Sequence, residues 1–264
     1  MLITLLTDFG TADYFVGAMK GVILSINRDA RIVDITHEIP PQDIVAGAFN
    51  LMAAYESFPA ETIHVAVVDP GVGSSRRPIL VCGGRQFFVG PDNGLFSYIC
   101  ERELEARVFH LTNTQYFRPS VSATFHGRDV FAPVAGALSL GVSPEQLGDE
   151  ITDYVRLPHL VPKPSAENVM VASIIHIDRF GNCITNLTPE HLTEAMLAAG
   201  ASLNINGRKI TALRRFFAED TEAPGELFLI RGSAGYLEIA AYRASAAQLL
   251  GAERGQLITV ISDR

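Results

Sequence analysis

TIHVAVVDPGVGSSRR, residues 62–77, decides the fold of this chain. Residues 62–68 are β-branched or apolar apart from His64, a composition typical of a buried strand. The strand ends at Asp69, and the glycines and tandem arginines that follow predict a tight loop in which an arginine pairs with Asp69. In α/β sheets, ligands bind where strands deliver such loops at their carboxyl ends. The loop lacks the GxxxxGKS/T spacing of a phosphate loop, which argues against a nucleoside triphosphate.

Strand-like and helix-like periods alternate through the first half of the chain and predict an α/β domain over residues 1–155. Its other strands are predicted at residues 2–6, 31–35, 79–82 and 86–89, and helices at residues 43–58, 95–102 and 129–140. Asp13 is expected to cap a further helix, whose apolar face consists of Phe15, Met19, Val22, Ile23 and Ile26.

Three prolines near residue 160 predict an interdomain linker at residues 156–167, because proline lacks a backbone donor for a helix or central strand. The pattern then changes to short strands separated by turns, predicted at residues 169–177, 202–205, 226–230, 236–241 and 257–261. Residues 168–264 are therefore expected to form a smaller, β-barrel-like domain. The predicted fold class is α/β, with an N-terminal α/β sheet domain and a C-terminal barrel-like one.

Composition limits the classes of partner. The formal net charge of −8 argues against a nucleic-acid-binding protein, because phosphate binding requires clustered Lys and Arg. Cys82, Cys100 and Cys183 are widely separated and odd in number, which is typical of structural thiols in a reducing compartment. Residues 1–10 show a strand rather than a signal peptide, and no stretch is apolar for long enough to cross a bilayer. We expect a cytoplasmic protein without a membrane or nucleic-acid partner.

Polar segments of the first half carry candidate functional side chains. Asp8 follows the first strand, where a carboxylate can bind a ribose diol. His126 lies in TFHGRD ahead of a helix, whose dipole favours the neutral imidazole. Asn93, in GPDNGL, can present its amide to a ligand. Each of these residues also has a structural interpretation. Asp8 can be a turn or cap residue, Asn93 a turn residue and His126 a hydrogen-bonded histidine. Asp69 and Arg76 can likewise form a surface ion pair.

The second half offers groups suited to an amino acid. IDRFGN, residues 177–182, combines a carboxylate, an aromatic ring and an amide, and RGSAGY, residues 231–236, ends a strand with hydrogen-bond donors. Both segments can equally be polar turns. A metal site at Asp8, His37, Asp69 and His126 is a further alternative, but no HxxxH or CxxC spacing supports it, so no metal is expected.

Six motifs occur in order along nearly the whole chain: LLTDFG, VVDPGVGSSRRP, GPDNGL, TFHGRDVFAP, IDRFGNCITN and GSAGYLEIA. Together they resemble the SAM hydroxide adenosyltransferase family, adenosine-forming hydrolases of S-adenosyl-L-methionine (SAM) that are related to fluorinase and chlorinase. The resemblance implies an N-terminal α/β domain, a C-terminal β-barrel and a homotrimer with SAM between domains of neighbouring subunits. It implies hydrolysis of SAM, as substrate, to adenosine and L-methionine without a cofactor.

The resemblance also implies roles for individual residues. Asp69, Arg76 and His126 match the catalytic set of the hydrolases, and Asp8 matches the ribose-binding carboxylate. Further substrate contacts are implied for Thr124 and Phe125 at the nucleoside, and for Asp178, Phe180, Asn182 and Ser233 at methionine and adenine.

The related halogenases are the nearest alternative. They carry Tyr at the position of Asp69 and another aromatic residue at that of His126, so these two residues favour hydrolysis. Gly127 stands where fluorinase has a halide-binding serine, but chlorinase also has glycine there, so it does not discriminate. Ala234 replaces an arginine that contacts the methionine carboxylate in fluorinase, which leaves Ser233 and backbone N–H groups as the anchor.

The mechanism predicted from these residues is in-line attack of water on ribose C5′. Asp69 and His126 orient the water and accept its proton, while Arg76 positions Asp69 and stabilises developing hydroxide. Which of Asp69 and His126 takes the proton is left open. Two other functions are also considered: a SAM- or adenosine-binding sensor without turnover, and a metal-dependent nucleoside hydrolase.

Overall fold

A computed structural model describes residues 1–219 and 223–262, and the chain divides into two units, Met1–Pro158 and His159–Arg264. The first unit is an α/β domain and the second is built mainly of strands. The predicted fold class is confirmed. Among the described residues, no helix is both long enough and apolar enough to cross a membrane.

The first unit contains a seven-stranded mixed sheet. Its strands are β1 (Leu2–Thr7), β2 (Arg31–Thr36), β3 (Ile63–Val67), β4 (Pro78–Gly83), β5 (Gln86–Pro91), β6 (Arg107–Leu111) and β7 (Gly148–Ile151). Their order is β2-β1-β3-β5-β4-β6-β7. Neighbours are parallel from β2 to β5 and antiparallel from β5 to β7. The parallel strands therefore bring the ends of β1 and β3 side by side at one edge of the sheet.

Five helices accompany this sheet: α1 (Phe15–Ile26), α2 (Ile44–Ala54), α3 (Ser97–Arg102), α4 (Ala132–Ser139) and α5 (Pro144–Leu147). The expected cap of α1 is wrong, because Tyr14 and not Asp13 is the N-cap and no side chain caps this helix. Asp43 does cap α2, accepting a hydrogen bond from Ala46 N over 3.0 Å. A short 3₁₀ turn, Tyr55–Ser57, follows α2, and a π-helical turn, Gly127–Phe131, precedes α4.

The core of the first unit lies between α1, α4 and the parallel strands. Met19, Ile23 and Phe131 are fully buried in one cluster with Ile3 and Val65. Burial of a side chain of this size contributes about 1.5–3 kcal/mol to stability. This packing holds β1 and β3 rigidly and hence fixes the polar residues that follow them.

The described residues of the second unit form a nine-stranded sheet and two short helices. Its elements are β8 (Lys163–Ala166), β9 (Val169–Ile177), β10 (Cys183–Thr185), α6 (Glu194–Ala198), β11 (Ser202–Ile205), β12 (Arg208–Ile210), β13 (Leu213–Arg214), β14 (Leu227–Arg231), β15 (Leu237–Ala241), α7 (Ala246–Leu250) and β16 (Leu257–Ile261). The order is β12-β11-β16-β9-β10-β15-β14-β13, with β8 paired to β9. β8 lies within residues 156–167, the range expected to be a linker.

The sheet of the second unit curls back on itself. Its two terminal strands, β12 and β13, are consecutive in the chain and are separated only by Thr211 and Ala212. Because so short a connection spans only about 10 Å, the two ends of the sheet must lie close together. The predicted barrel-like architecture follows from this connection.

Candidate active site

Asp69 lies at the carboxyl end of β3, and Arg76 binds it side-on. Arg76 Nε donates to Asp69 Oδ1 over 3.0 Å, and Arg76 Nη2 donates to Asp69 Oδ2. Only 5% of the Asp69 side chain and 8% of the Arg76 side chain are exposed. A bidentate contact of this kind fixes both planar groups in one orientation. The predicted return of an arginine onto Asp69 is present.

The loop between Asp69 and Arg76 packs closely on the segment that leads to His126. Gly73 has φ +78°, and a Cβ at this position would lie 2.3 Å from the carbonyl oxygen of Ala123. Only glycine tolerates both the positive φ and the close backbone approach. Gly73 therefore allows the two polar loops to meet.

His126 is joined to the same guanidinium. Arg76 Nη2 lies 2.8 Å from His126 Nδ1, and because a guanidinium only donates, Nδ1 must be the acceptor. The neutral ring therefore carries its proton on Nε2. Burial and the charge of Arg76 both lower the pKa of His126, which keeps the imidazole neutral. His126 thus presents an N–H donor and not a free basic nitrogen.

Asp129 supports the His126 segment from within the protein. The carboxylate is fully buried and accepts from Ser122 N over 2.9 Å and from Arg128 Nε over 2.7 Å. Arg118 lies 3.4 Å from the same carboxylate. This role of Asp129 was not predicted, although an acidic residue in the HGRD segment was the available signal.

The tandem arginines have separate partners. Arg77 does not join Asp69 but donates to Asp92 Oδ2 over 2.9 Å and to Asp153 Oδ1 over 2.8 Å. Beside Asp92, the Asn93 amide donates to the carbonyl of Val68 over 2.8 Å, and Asn93 Oδ1 accepts from Leu95 N. Both polar atoms of Asn93 are engaged within the protein, so Asn93 fixes the backbone just before Asp69.

Asp8 and Asp69 line one cavity of about 420 Å³ in the first unit, together with Phe9, Phe15 and Gln42. Gln42 N donates to Asp8 Oδ2 over 2.8 Å. Within residues 1–219 and 223–262, no side chain or backbone group donates to Asp8 Oδ1, which leaves this oxygen available to a ligand. The structure therefore brings the predicted ribose-binding carboxylate next to the predicted catalytic carboxylate.

Thr124 and Phe125 differ in how far a ligand can reach them. Thr124 is exposed, and its hydroxyl lies 3.1 Å from that of Ser122. Phe125 is buried, with its ring 5.1 Å from Phe15 and 6.0 Å from Phe9 between centroids. Phe125 thus supports the two aromatic rings that line the cavity and has little free surface of its own.

The remaining predicted contacts belong to the second unit. Asp178 Oδ1 accepts from Phe180 N and Asn182 N, each over 2.9 Å, and Asp178 Oδ2 accepts from the Asn182 amide. The turn between β9 and β10 is thereby rigid. Phe180 projects from it with 78% of its surface exposed. Ser233, in the turn between β14 and β15, is also exposed.

No group of three or more His, Cys, Asp or Glu in the described part of the chain is arranged to hold a metal ion. His37, which the alternative metal site included, instead makes a hydrogen bond with Thr7 through Nδ1, and its Nε2 lies at ion-pair distance from Asp34.

Comparison with known proteins identifies the family. The model of the SAM hydroxide adenosyltransferase N-terminal domain matches residues 3–148, and that of the C-terminal domain matches residues 172–259. The chain belongs to the SAM hydroxide adenosyltransferase family. A curated relative from Methanocaldococcus jannaschii, named (R)-S-adenosyl-L-methionine hydrolase, is 37% identical over 98% of this chain and 95% of its own. The predicted resemblance is confirmed.

Solved structures and more distant members agree with this assignment. An uncharacterised conserved protein from Thermotoga maritima has a TM-score of 0.89 and 34% identity, over 99% of this chain and all of the other. A fluorinase from Actinoplanes sp. is 25% identical over 98% of this chain and 97% of its own. This member of the SAM hydroxide adenosyltransferase family is therefore closer in sequence to a hydrolase than to a halogenase.

Proposed function

We propose that the protein hydrolyses S-adenosyl-L-methionine to adenosine and L-methionine. The observation that carries this proposal is the contiguous set Asp69–Arg76–His126, placed beside the cavity that Asp8 and Asp69 share. A carboxylate and an imidazole that contact one guanidinium offer a hydrogen-bond acceptor and an N–H donor for a water molecule. The identity to a curated hydrolase over nearly the whole chain supports the same activity.

Asp69 is the proton acceptor in this proposal. Each carboxylate oxygen receives one hydrogen bond from Arg76 and keeps lone-pair capacity for the attacking water. His126 cannot take this role while Arg76 donates to Nδ1, because its other nitrogen is already protonated. His126 Nε2–H instead donates to the water oxygen and stabilises the developing hydroxide. This geometry supports Asp69 as the proton acceptor, a choice that the sequence left open.

The leaving group needs no general acid. Water forms a bond to ribose C5′ as the bond from C5′ to the sulfonium sulfur breaks, and the electron pair leaves with sulfur as a neutral thioether. The water proton passes to Asp69, and adenosine keeps the water oxygen as its 5′-hydroxyl. Because attack by hydroxide on a cation neutralises charge, a site with little water favours the reaction.

We propose the (R)-configured sulfonium as the substrate, since the curated relative carries that configuration in its name. The configuration at sulfur decides on which sides of the leaving group the methyl and aminocarboxypropyl groups lie. A site that fixes both the ribose and the amino acid accommodates only one of these arrangements with C5′ in line for attack. Selectivity between the epimers is therefore expected.

The remaining roles in the proposal follow the family. Asp8 binds the ribose, Thr124 and Phe125 lie at the nucleoside, and the methionine and adenine contacts come from Asp178, Phe180, Asn182 and Ser233. Asn93 acts through Val68 and not by touching the substrate. We further propose a cytoplasmic homotrimer that completes its active site at the subunit interface and uses no cofactor. Light scattering of the purified protein measures the oligomer directly.

The test is incubation of the full-length protein with each SAM epimer in ¹⁸O-labelled water, with ample chloride and with EDTA. Equal amounts of methionine and 5′-¹⁸O-adenosine from the (R)-epimer are expected. Formation of 5′-chloro-5′-deoxyadenosine would make the protein a halogenase. SAM that is bound but unchanged would make it a sensor, and loss of activity in EDTA would indicate a metal-dependent enzyme.

A further inference from the structure

Two threonines of β1 each bind a buried histidine, on opposite faces of the sheet. Thr4 Oγ1 lies 2.7 Å from His64 Nδ1, and Thr7 Oγ1 lies 2.9 Å from His37 Nδ1. The first pair ends within the core, where His64 Nε2 binds Gln86 Oε1 over 3.0 Å. The second pair stands directly before Asp8, at the edge of the sheet that carries the candidate active site. The two pairs are similar in chemistry and differ in position.

The Thr7–His37 pair continues outward to charged groups. His37 Nε2 lies 3.1 Å from Asp34 Oδ1, and Lys20 Nζ donates to Asp34 Oδ2 over 2.7 Å. His37 and Asp34 are within ion-pair distance, but the angle of this contact does not meet the geometry of a hydrogen bond. The carboxylate favours a proton on Nε2, so Nδ1 is the acceptor and the Thr7 hydroxyl donates to it.

This chain of contacts ends on the backbone around Asp8. The oxygen of Thr7 accepts from Phe9 N over 3.2 Å, and the carbonyl oxygen of His37 accepts from Gly10 N over 2.8 Å. His37 therefore holds the residues on both sides of the Asp8 turn, once through its ring and once through its backbone. With Thr7 fully buried and His37 95% buried, the turn has little freedom to reorient.

We propose that Thr7, His37 and Asp34 are positioning residues that set the direction of the Asp8 carboxylate and thereby make the site selective for a ribose over a deoxyribose. The inference rests on the proposed function only in taking Asp8 as the group that binds the ribose. Asp8 Oδ2 is held by Gln42 N, so a rotation of the turn moves Oδ1 away from the position that a vicinal diol requires. None of the three residues touches the ligand.

The effect is measured as the ratio of the Kd values for 2′-deoxyadenosine and adenosine. A hydrogen bond to a carboxylate is worth about 1.5–3 kcal/mol, which corresponds to roughly ten- to a hundredfold in affinity. We expect the full-length protein to prefer adenosine by such a factor. His37→Ala removes the ring and its contact with Thr7 and leaves only the backbone contact with Gly10, so we expect it to reduce this ratio about tenfold.

Three further variants separate positioning from general destabilisation. His37→Asn keeps an acceptor near the place of Nδ1 and is expected to restore part of the ratio. Asp34→Asn, at a side chain that is 38% exposed, is expected to fold and to lower the ratio by a smaller factor than His37→Ala. His64→Gln is the matched control, because it disturbs the other threonine–histidine pair in the core. It is expected to lower the unfolding temperature and to leave the ratio unchanged.

Titration calorimetry with adenosine and 2′-deoxyadenosine provides the measurement, without any need for turnover. Equal weakening of both nucleosides in His37→Ala, or an equal change of the ratio in His64→Gln, would overturn the inference. A wild-type protein that binds both nucleosides equally, or neither, would overturn it as well. If the ratio behaves as expected but SAM is not hydrolysed, the proposed reaction fails and the positioning role stands.

Discussion

Arg76 Nη2 donates to His126 Nδ1 over 2.8 Å while Arg76 also holds both oxygens of Asp69. One guanidinium thereby determines the orientation of the carboxylate and the tautomer of the imidazole. In the proposed reaction, Asp69 accepts a proton and His126 donates a hydrogen bond.

Asp69→Asn is expected to lower kcat by about 10²–10⁴-fold, the range for loss of a general base, and to change KM for SAM by less than about threefold. The reason is that, in the proposed reaction, Asp69 contacts the attacking water and not the bound substrate. Steady-state release of methionine measures both constants. Asp153→Asn, at an exposed partner of Arg77, serves as the control and should keep the wild-type kcat. Equal losses in kcat and affinity would show that Asp69 mainly binds substrate.

The dependence of kcat/KM on pH reports the state of His126. Its pKa is lowered by burial and by Arg76, so we expect a constant kcat/KM from pH 8 to about 6.5. At more acidic pH, protonation of Nδ1 places two donors face to face and breaks the contact with Arg76, so activity falls. His126→Asn cannot titrate and should lose this acidic decline. An increase in activity with a midpoint above pH 6.5 that His126→Asn abolishes would mean that His126 is the base.

Gly73→Ala is expected to separate the two active-site loops. The new Cβ would lie 2.3 Å from the carbonyl oxygen of Ala123, in addition to the strain of the positive φ. Strain of this kind costs about 1–3 kcal/mol, and we expect kcat to fall by at least about tenfold because Arg76 moves with the loop. Gly207→Ala is the matched control, since Gly207 has φ +73° with no atom within 4 Å of the added Cβ. It should lose only the stability that the positive φ costs and keep its activity.

We expect the free energy of unfolding to decrease at acidic pH because His64 is buried. Burial lowers its pKa to about 4, against 6.5 for the free side chain, so the unfolded chain binds the proton first as the pH decreases. A depressed histidine pKa therefore contributes stability above pH 6.5 that is lost progressively down to pH 4, by about 3 kcal/mol. Urea unfolding at several pH values measures the slope. His64→Gln should lack this component, and an identical slope in the variant would exclude His64 as its source.

The sequence predicted those features that depend on local pattern. The strand at residues 62–68 corresponds to Ile63–Val67, and the strands at residues 169–177 and 257–261 have the observed bounds. β7 was not predicted, because Gly148–Ile151 has no apolar alternation and becomes a strand only by pairing with β6. β6 was also missed, although three of its five residues are apolar. The cap of α1 failed for a similar reason: Asp13 is a favourable residue type, but the chain enters the helix one residue later.

The candidate site shows the same division between local pattern and three-dimensional contact. The sequence placed Asp69 and Arg76 in one loop, and a pair within that loop could be expected from their spacing. It could not show that Arg77 turns to Asp92 and Asp153, or that the Asn93 amide is used by Val68. The tautomer of His126 likewise depends on a contact between residues 50 positions apart. These roles depend on contacts between loops that are far apart in the sequence.

The position of β16 in the second sheet has a consequence for biosynthesis. Leu257–Ile261 lies between β11 and β9 and pairs with both, so the strand that arises last in this sheet occupies its interior. While the ribosome is still translating the residues before β16, β9 and β11 have no common partner and expose unpaired edges. The first unit already has all of its strands at that stage and can fold during translation. The second unit cannot complete its sheet until β16 has been translated. During this interval its nascent chain can bind chaperones or aggregate.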